Sequence, residues 1–362
     1  MNIPPEGAAL LTFAKASLSA TPSAPGTVSS PLNWTSLQQM ACRHRLGPLL
    51  HYGLRRSRFV GVPDWLCADW EAQHLEAVAT ALYYQQALEE IAALLEDRRV
   101  PFILLKGEAL SKGLYSRDGL RPYYDDIDLL IRSESYEATK AILMELGFQL
   151  RYPGQEAEKR QLFGEIEFDK EGLRTLTVDL HWDTLMASWE RHSLFREQET
   201  WNSLDQIRLG GRALPVLGGE ALLLYLCVHF AFHHVFDGLI HLCDLLLLLR
   251  RDAERIDWDP LLAMANRCQC RQALYHSLSF AKALMGAQVP SGILDRLRPA
   301  APIRALMPSS WLLFRDTRVP QMLERYVKYL LIDTQGGRWG ALQAWFQSSK
   351  PFSGRRGFRE RV

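Results

Sequence analysis

No C-x-x-C pair occurs anywhere in this chain of 362 residues. Its six cysteines, Cys42, Cys67, Cys227, Cys243, Cys268 and Cys270, match the spacing of no common zinc knuckle. The expectation is reduced, mostly buried thiols in a cytoplasmic protein. An excess of one charge is missing too: 42 Lys+Arg against 41 Asp+Glu leave a net charge of +1. No global field draws in nucleic acid or an acidic membrane, and nothing suggests sequence-specific DNA binding. Long apolar runs are absent. The most apolar stretch, residues 221–249, is broken by His229, His233, His234, Asp237, His241 and Asp244, whereas a membrane span needs about 20 nearly uninterrupted apolar residues. The N-terminus carries Pro4, Pro5 and Glu6 and lacks the basic start and apolar run of a secretory signal. No repeat recurs at a period of about 20–50 residues.

What remains is an ordinary globular mixture, 48% hydrophobic and 23% charged, long enough for two or three domains at roughly 150 residues each. Residues 7–18 suggest a helix, and residues 19–31, rich in Ser, Pro, Ala and Thr, a flexible connector. Helical patterns cover 34–56 and continue from Trp65. In 73–98, Leu75, Val78, Leu82, Leu88, Ile91 and Leu95 would form one apolar face, with Pro101 just past its end.

The pattern then turns to short strands at 102–105, 126–131, 148–152, 162–169 and 173–182, with helices at 108–115 and 133–146 between them. Ser133 is the expected N-cap of the second, and Ala138, Ile142 and Leu146 its buried face. This order predicts an α+β fold: a small mixed-sheet domain at 99–215, a helical region at 1–98 before it, a helical domain at 216–335 after it, and a basic tail at 336–362. The oligomeric state is not encoded in any pattern of the chain.

Chemistry concentrates on the strands. Asp126 and Asp128 are two apart, so both carboxylates leave the same face of an otherwise apolar strand. Carboxylates so placed repel each other and lose hydration, and an oxygen-ligated Mg²⁺ or Mn²⁺ relieves both effects. Asp179 and His181 share a face in the same way. If their strand lies beside 126–131, Asp179 completes a three-carboxylate cluster suited to phosphoryl transfer. Glu165, Glu167 and Asp169 also alternate and are rival candidates for the third carboxylate. Lys106-Gly107 follows a strand and opens a helix: glycine admits close backbone approach, and lysine adds a point charge for phosphate. Arg121 either binds phosphate or pairs with Asp125 or Asp126.

These motifs, Leu105-Lys106-Gly107, Leu114-Tyr115, Leu120-Arg121-Pro122, Asp126-Ile127-Asp128-Leu129-Leu130-Ile131, Leu146-Gly147-Phe148 and Val178-Asp179-Leu180-His181-Trp182, stand in the order of a known family. Over residues 75–250 the chain resembles the uncharacterised bacterial nucleotidyltransferases of the DNA-polymerase-β-like superfamily. The resemblance implies an enzyme, a transferase of phosphorus-containing groups that uses Mg²⁺ or Mn²⁺ and an NTP such as ATP. By match of position Asp126 and Asp128 would be the metal pair, Asp179 the third carboxylate and a candidate general base, and Gly107 the glycine of the phosphate loop; Lys106 and Arg121 are the further candidate nucleotide contacts from the residues themselves. The wider superfamily usually carries Gly-Ser where this chain has Gly107-Glu108. The acceptor, a small molecule, sugar, peptide or RNA, is not named by the resemblance. The same fold also admits transfer of another phosphate-linked group, or service as a non-catalytic nucleotide-binding or partner protein; retention of all three carboxylates favours an enzyme.

His181 would touch substrate or the metal-holding residues. His229 and His233, four apart on a helix, would line an acceptor pocket. With His241 and Asp244 they also suggest zinc by residue type, but no H-E-x-x-H accompanies them, and core or groove lining is the expectation.

Overall fold

In a computed structural model of the chain, helices occupy the first hundred residues: α1 (Pro5–Ser17), α2 (Trp34–Arg43), α3 (Gly47–Ser57) and α4 (Asp64–Asp97). The structure describes residues 3–19, 31–57, 59, 61–115, 119–121, 126–162, 164–183, 198–300, 311–314, 320–334 and 338. The connector expected at 19–31 and the tail expected at 336–362 lie outside these, apart from Ser19, Pro31 and Arg338. Asn33 starts α2 by accepting a bond from the Ser36 amide at 3.0 Å, which satisfies one of the orphan donors of a helix start. The predicted face of α4 needs correction. Leu88, Ile91 and Leu95 are buried, but Leu75 and Leu82 are each 62% exposed, and Trp70, Ala77, Ala81 and Tyr84 are the buried residues upstream. Small residues let the first half of α4 pack closely, so its buried stripe does not follow the leucines.

Past Pro101 come β1 (Phe102–Leu104), α5 (Glu108–Leu114), β2 (Ile127–Ile131), α6 (Tyr136–Glu145), β3 (Gln149–Leu150), α7 (Glu156–Leu162), β4 (Glu165–Lys170), β5 (Leu176–His181), α8 (Gln198–Asn202), β6 (Leu204–Leu209) and β7 (Arg212–Leu217). The strands form one mixed sheet in the order β3-β4-β5-β2-β1-β7-β6. The fold is α+β, as expected, but the sheet is wider than the sequence pattern suggested. The β6–β7 hairpin turns at Gly210 and Gly211, both at positive φ (52° and 83°), and β7 joins β1 in parallel. Glycines are suited to such a turn because they carry no Cβ penalty there. In α6, Tyr136, Thr139, Ile142 and Leu143 are buried while Ala138 is exposed; Ser133 sits in a 3-10 turn ahead of the helix and does not cap it.

Alternation along β2 and β5 sorts the sheet's two faces. Ile127, Leu129, Ile131, Val178 and Leu180 point to a core closed by α4 and α6. Leu130, and with it Asp128, points to the opposite core. That second core is built by α1–α3 and by α9 (Gly219–Val228), α10 (Leu239–Arg251), α11 (Trp258–Arg267) and α12 (Arg271–Phe280). Residues 221–249 are therefore core helices, and among the described residues no helix is long and apolar enough to cross a membrane.

Two histidines deep in this helical layer make the fold acid-sensitive. The His44 ring accepts a bond from the Leu239 amide at 3.3 Å, and burial, then Arg43, lowers its pKa from 6.5 to about 3. Burial lowers that of His276 from 6.5 to about 4. Below 6.5 the unfolded chain binds protons that the folded chain refuses, so stability is full above that pH and is lost as pH falls toward 4 and 3. At pH 5 each should cost about 2 kcal/mol. Denaturant titrations at pH 7 and pH 5 should show this loss, and His44→Gln with His276→Gln should flatten the pH dependence.

Candidate active site

Strand pairing sets the site. β2 and β5 run parallel with Asp128 opposite Asp179 and Leu130 opposite His181, so the two predicted acidic strands are neighbours in register. Both acids leave the sheet on the face covered by the C-terminal helices. Asp128 and Asp126 are buried, at 1% and 5% exposure, while Asp179 is partly exposed. Ligand atoms of Asp128, Asp179 and His181 all lie within 4.8 Å of one another.

Lys106 reaches into this cluster. Its Nζ donates to Asp128 Oδ1 at 2.6 Å and stands 4.0 Å from Asp126 Oδ2. Burial opposes the lysine's charge, but Asp126, Asp128, Tyr225 and Asp179 outweigh it and hold the pKa well above the usual lysine value. Thus the lysine expected on phosphate serves here as the internal counter-ion of the carboxylates. A recess bounded by Lys106, Gly107, Asp126 and Asp128 has no room for a water-sized sphere. Gly107 takes φ +55°, and a Cβ built on it would meet Asp126 O at 3.9 Å, so backbone conformation, not crowding, demands glycine.

His181 bridges two acids: Nε2 lies 3.0 Å from Asp128 Oδ1 and Nδ1 lies 3.3 Å from Glu165 Oε2. Burial would raise the Asp128 pKa, yet Lys106 and the His181 bond bring it down to about 2. Asp179 goes the other way. Burial, then Asp126, Asp128 and Glu165, pushes it well above the carboxylate range despite Lys106. One ammonium does not balance these acids. Asp128 Oδ2 and Asp179 Oδ1 are buried and meet no hydrogen-bond partner. Desolvated carboxylate oxygens in excess of cations fit a hard divalent ion.

Of the rival carboxylates on β4, Glu165 stays at the site against His181, while Glu167, opposite Asp179 in register, and Asp169 are each paired with a cation. Glu167 pairs with Lys159, and Asp169 accepts two 2.6 Å bonds from Arg151 and one from Thr177 at 2.8 Å. Glu108, which lines the same recess, accepts a bond from Gln85 at 2.7 Å and stands 3.7 Å from Lys112.

Arg121 is expected on phosphate or paired with Asp125 or Asp126, and Asp125 lies outside the described residues. Its guanidinium makes two 2.8 Å bonds to Asp244 of α10, which also accepts from Tyr115 Oη at 2.8 Å. Arg121 and Asp244 are 2% and 1% exposed. The pair ties Arg121 to α10 of the helical layer.

Four histidines gather beside the site. His229–His233 is a π-turn at the end of α9, where the His234 amide donates to His229 O at 3.2 Å. The wider turn brings His234 to His229 as well, with ring centroids 4.6 Å apart, while His233 stacks on His229 at 4.9 Å. Counting in fours from His229 finds His233 and misses His234. Tyr225, also unmarked by the sequence patterns, is buried with its ring 5.8 Å from that of His229; burial raises its pKa and Lys106 opposes. Its signal was available: it stands one helical turn before His229. A cavity of about 490 Å³ opens elsewhere, between α5, the β6–β7 hairpin and α10, and none of the three carboxylates lines it.

No curated protein matches the chain. Two solved structures of the antibiotic-resistance factor ANT(2'')-Ia are loosely similar. Its solution structure shares 17% identity over 55% of this chain and 96% of that one, with a TM-score of 0.37. Its crystal structure in complex with adenylyl-2''-tobramycin shares 18% over 51% and 98%, with a TM-score of 0.36. A family model for uncharacterised nucleotidyltransferases matches residues 30–286, a span that includes the whole sheet and its acidic cluster. The chain therefore belongs to the uncharacterised nucleotidyltransferase family and is a transferase.

Proposed function

We propose that the protein moves a nucleoside monophosphate from an NTP, ATP being the first donor to test, to a hydroxyl or phosphate oxygen of an acceptor. The observation that carries this reading is the meeting of Asp128, Asp179 and His181 ligand atoms within 4.8 Å, with one carboxylate oxygen of each aspartate left without a hydrogen bond. Asp126, Asp128 and Asp179 would hold Mg²⁺ or Mn²⁺. A divalent ion there neutralises charge on the phosphoryl oxygens and makes the acceptor oxygen easier to deprotonate.

The chain's own residues do the rest. Lys106 gives up its place among the carboxylates and follows the charge to the donor phosphates, beside the open backbone at Gly107. Asp179, whose proton affinity is raised while that of Asp128 is lowered, takes the acceptor's proton. The acceptor oxygen bonds to the α-phosphorus, the bond to the bridging oxygen breaks, and pyrophosphate leaves with the electron pair. His181 keeps Asp128 in place through its bond to Oδ1 and its contact with Glu165. The helices at 34–98 and 219–332 form the acceptor cleft, flanking a catalytic unit at 99–215; His229 and His233 line its wall.

Incubation with each NTP and Mg²⁺ or Mn²⁺ in a small-molecule and peptide extract tests this reading. The expected product is heavier than its acceptor by one NMP and appears with pyrophosphate. A phosphate or sugar increment, or none with any NTP, contradicts it.

A further inference from the structure

We propose that His229, His234 and His241 form a binding site for a zinc-class transition-metal ion, distinct from the carboxylate site. One ring nitrogen from each lies within 4.8 Å of the others. Ring centroids of His234 and His241 are 4.0 Å apart and those of His229 and His241 5.8 Å. His229 and His241 are each 8% exposed, and His234 is half-buried. In a tetrahedral zinc site at roughly 2.0–2.1 Å per bond, ligand nitrogens stand about 3.4 Å apart, so closure needs shifts on the order of 1 Å.

The backbone is shaped to bring these rings together. A π-turn inserts the extra residue that sets His229 against His234, and such turns are frequent at functional sites. Val235 and Phe236 follow at φ +51° and +58°, strained values for a β-branched and an aromatic residue. Gly238, at φ +103°, then folds α10 back; a Cβ there would stand 3.0 Å from His241 Cδ2. Of the cations that act on these rings, Lys106 is compensated by Asp128 and Arg121 by Asp244, and Arg45 bears on His234 and His241. Three imidazole donors select zinc, cobalt, nickel or copper, whereas the oxygen donors of the carboxylate site select magnesium or manganese. A bound ion would pin the π-turn to α10 and steady the helix end that carries Tyr225 beside Lys106.

Cobalt(II) titrated into the full-length protein in excess Mg²⁺ tests this. The expected result is one equivalent taken up with the strong visible ligand-field bands of a low-coordinate nitrogen site, displaced by zinc, and a zinc-dependent rise in melting temperature. His234→Gln and His241→Gln should each lose the bands while keeping native circular dichroism, and His233→Gln should keep them. Absence of the bands in the unaltered protein overturns the proposal, as do bands of equal strength in folded His234→Gln and His241→Gln. The readout does not use turnover, so failure of the transferase reading and failure of this site are separable.

Discussion

Asp128→Asn should lower nucleotidyl transfer by on the order of 10³-fold or more while leaving the fold intact, because the charge it removes is the one buried deepest in the acidic cluster. Asparagine keeps the shape and an acceptor oxygen for His181 Nε2, now 3.0 Å from the carboxylate. Lys106 stays compensated by Asp126 and Asp179, both of which already act on it. Asp179→Asn should be as inactive, yet more stable. The neighbouring acids push the Asp179 pKa well above its ordinary value, so ionising it at neutral pH costs the folded state, and the amide removes that cost. Asp169→Asn and Glu167→Gln should keep transfer within a few-fold, since Arg151 and Lys159 already neutralise those side chains. Initial rates and thermal melts on the four variants are the check. Normal turnover in Asp179→Asn with loss in Asp169→Asn would move the third carboxylate to β4.

Asp244→Ala should be the most damaging stability change in the helical layer. It leaves the Arg121 guanidinium, 2% exposed, without its bidentate partner and Tyr115 without its acceptor. Breaking a buried pair from one side costs about 3–5 kcal/mol, whereas replacing both partners with apolar residues of similar volume is often neutral. The double variant Arg121→Met/Asp244→Leu should therefore recover most of the loss, and Tyr115→Phe should cost about 1 kcal/mol. Denaturant midpoints for the single and double variants measure this. Equal destabilisation by single and double variants would show that shape, not charge, holds the clamp.

The parts legible in the sequence are those set by short-range periodicity. Two-residue spacing on β2 and β5 put Asp126 with Asp128 and Asp179 with His181, and the apolar residues between them fixed which face each pair takes. Parallel register then set Asp128 against Asp179. What the sequence withheld depends on distant partners or on departures from ideal period. Arg121 meets an aspartate 123 positions away, and no local pattern names that partner. Lys106 stands next to its glycine as a phosphate residue would, yet the unmet charge of the carboxylates draws its ammonium inward. His234 is hidden because a π-turn replaces the four-residue step. The β6–β7 hairpin had a visible signal in Gly210-Gly211 between two strand-like runs, although β7 carries Pro215, a residue that strand interiors disfavour.

The claim on which the account rests is that the acids of β2 and β5 bind divalent cations together with a nucleoside triphosphate. Electron paramagnetic resonance of free Mn²⁺, titrated into the protein with a non-hydrolysable ATP analogue, tests it most directly. The account predicts saturable, analogue-dependent uptake by the unaltered protein that is lost in both Asp128→Asn and Asp179→Asn. Uptake of the same stoichiometry and affinity in all three proteins would contradict it.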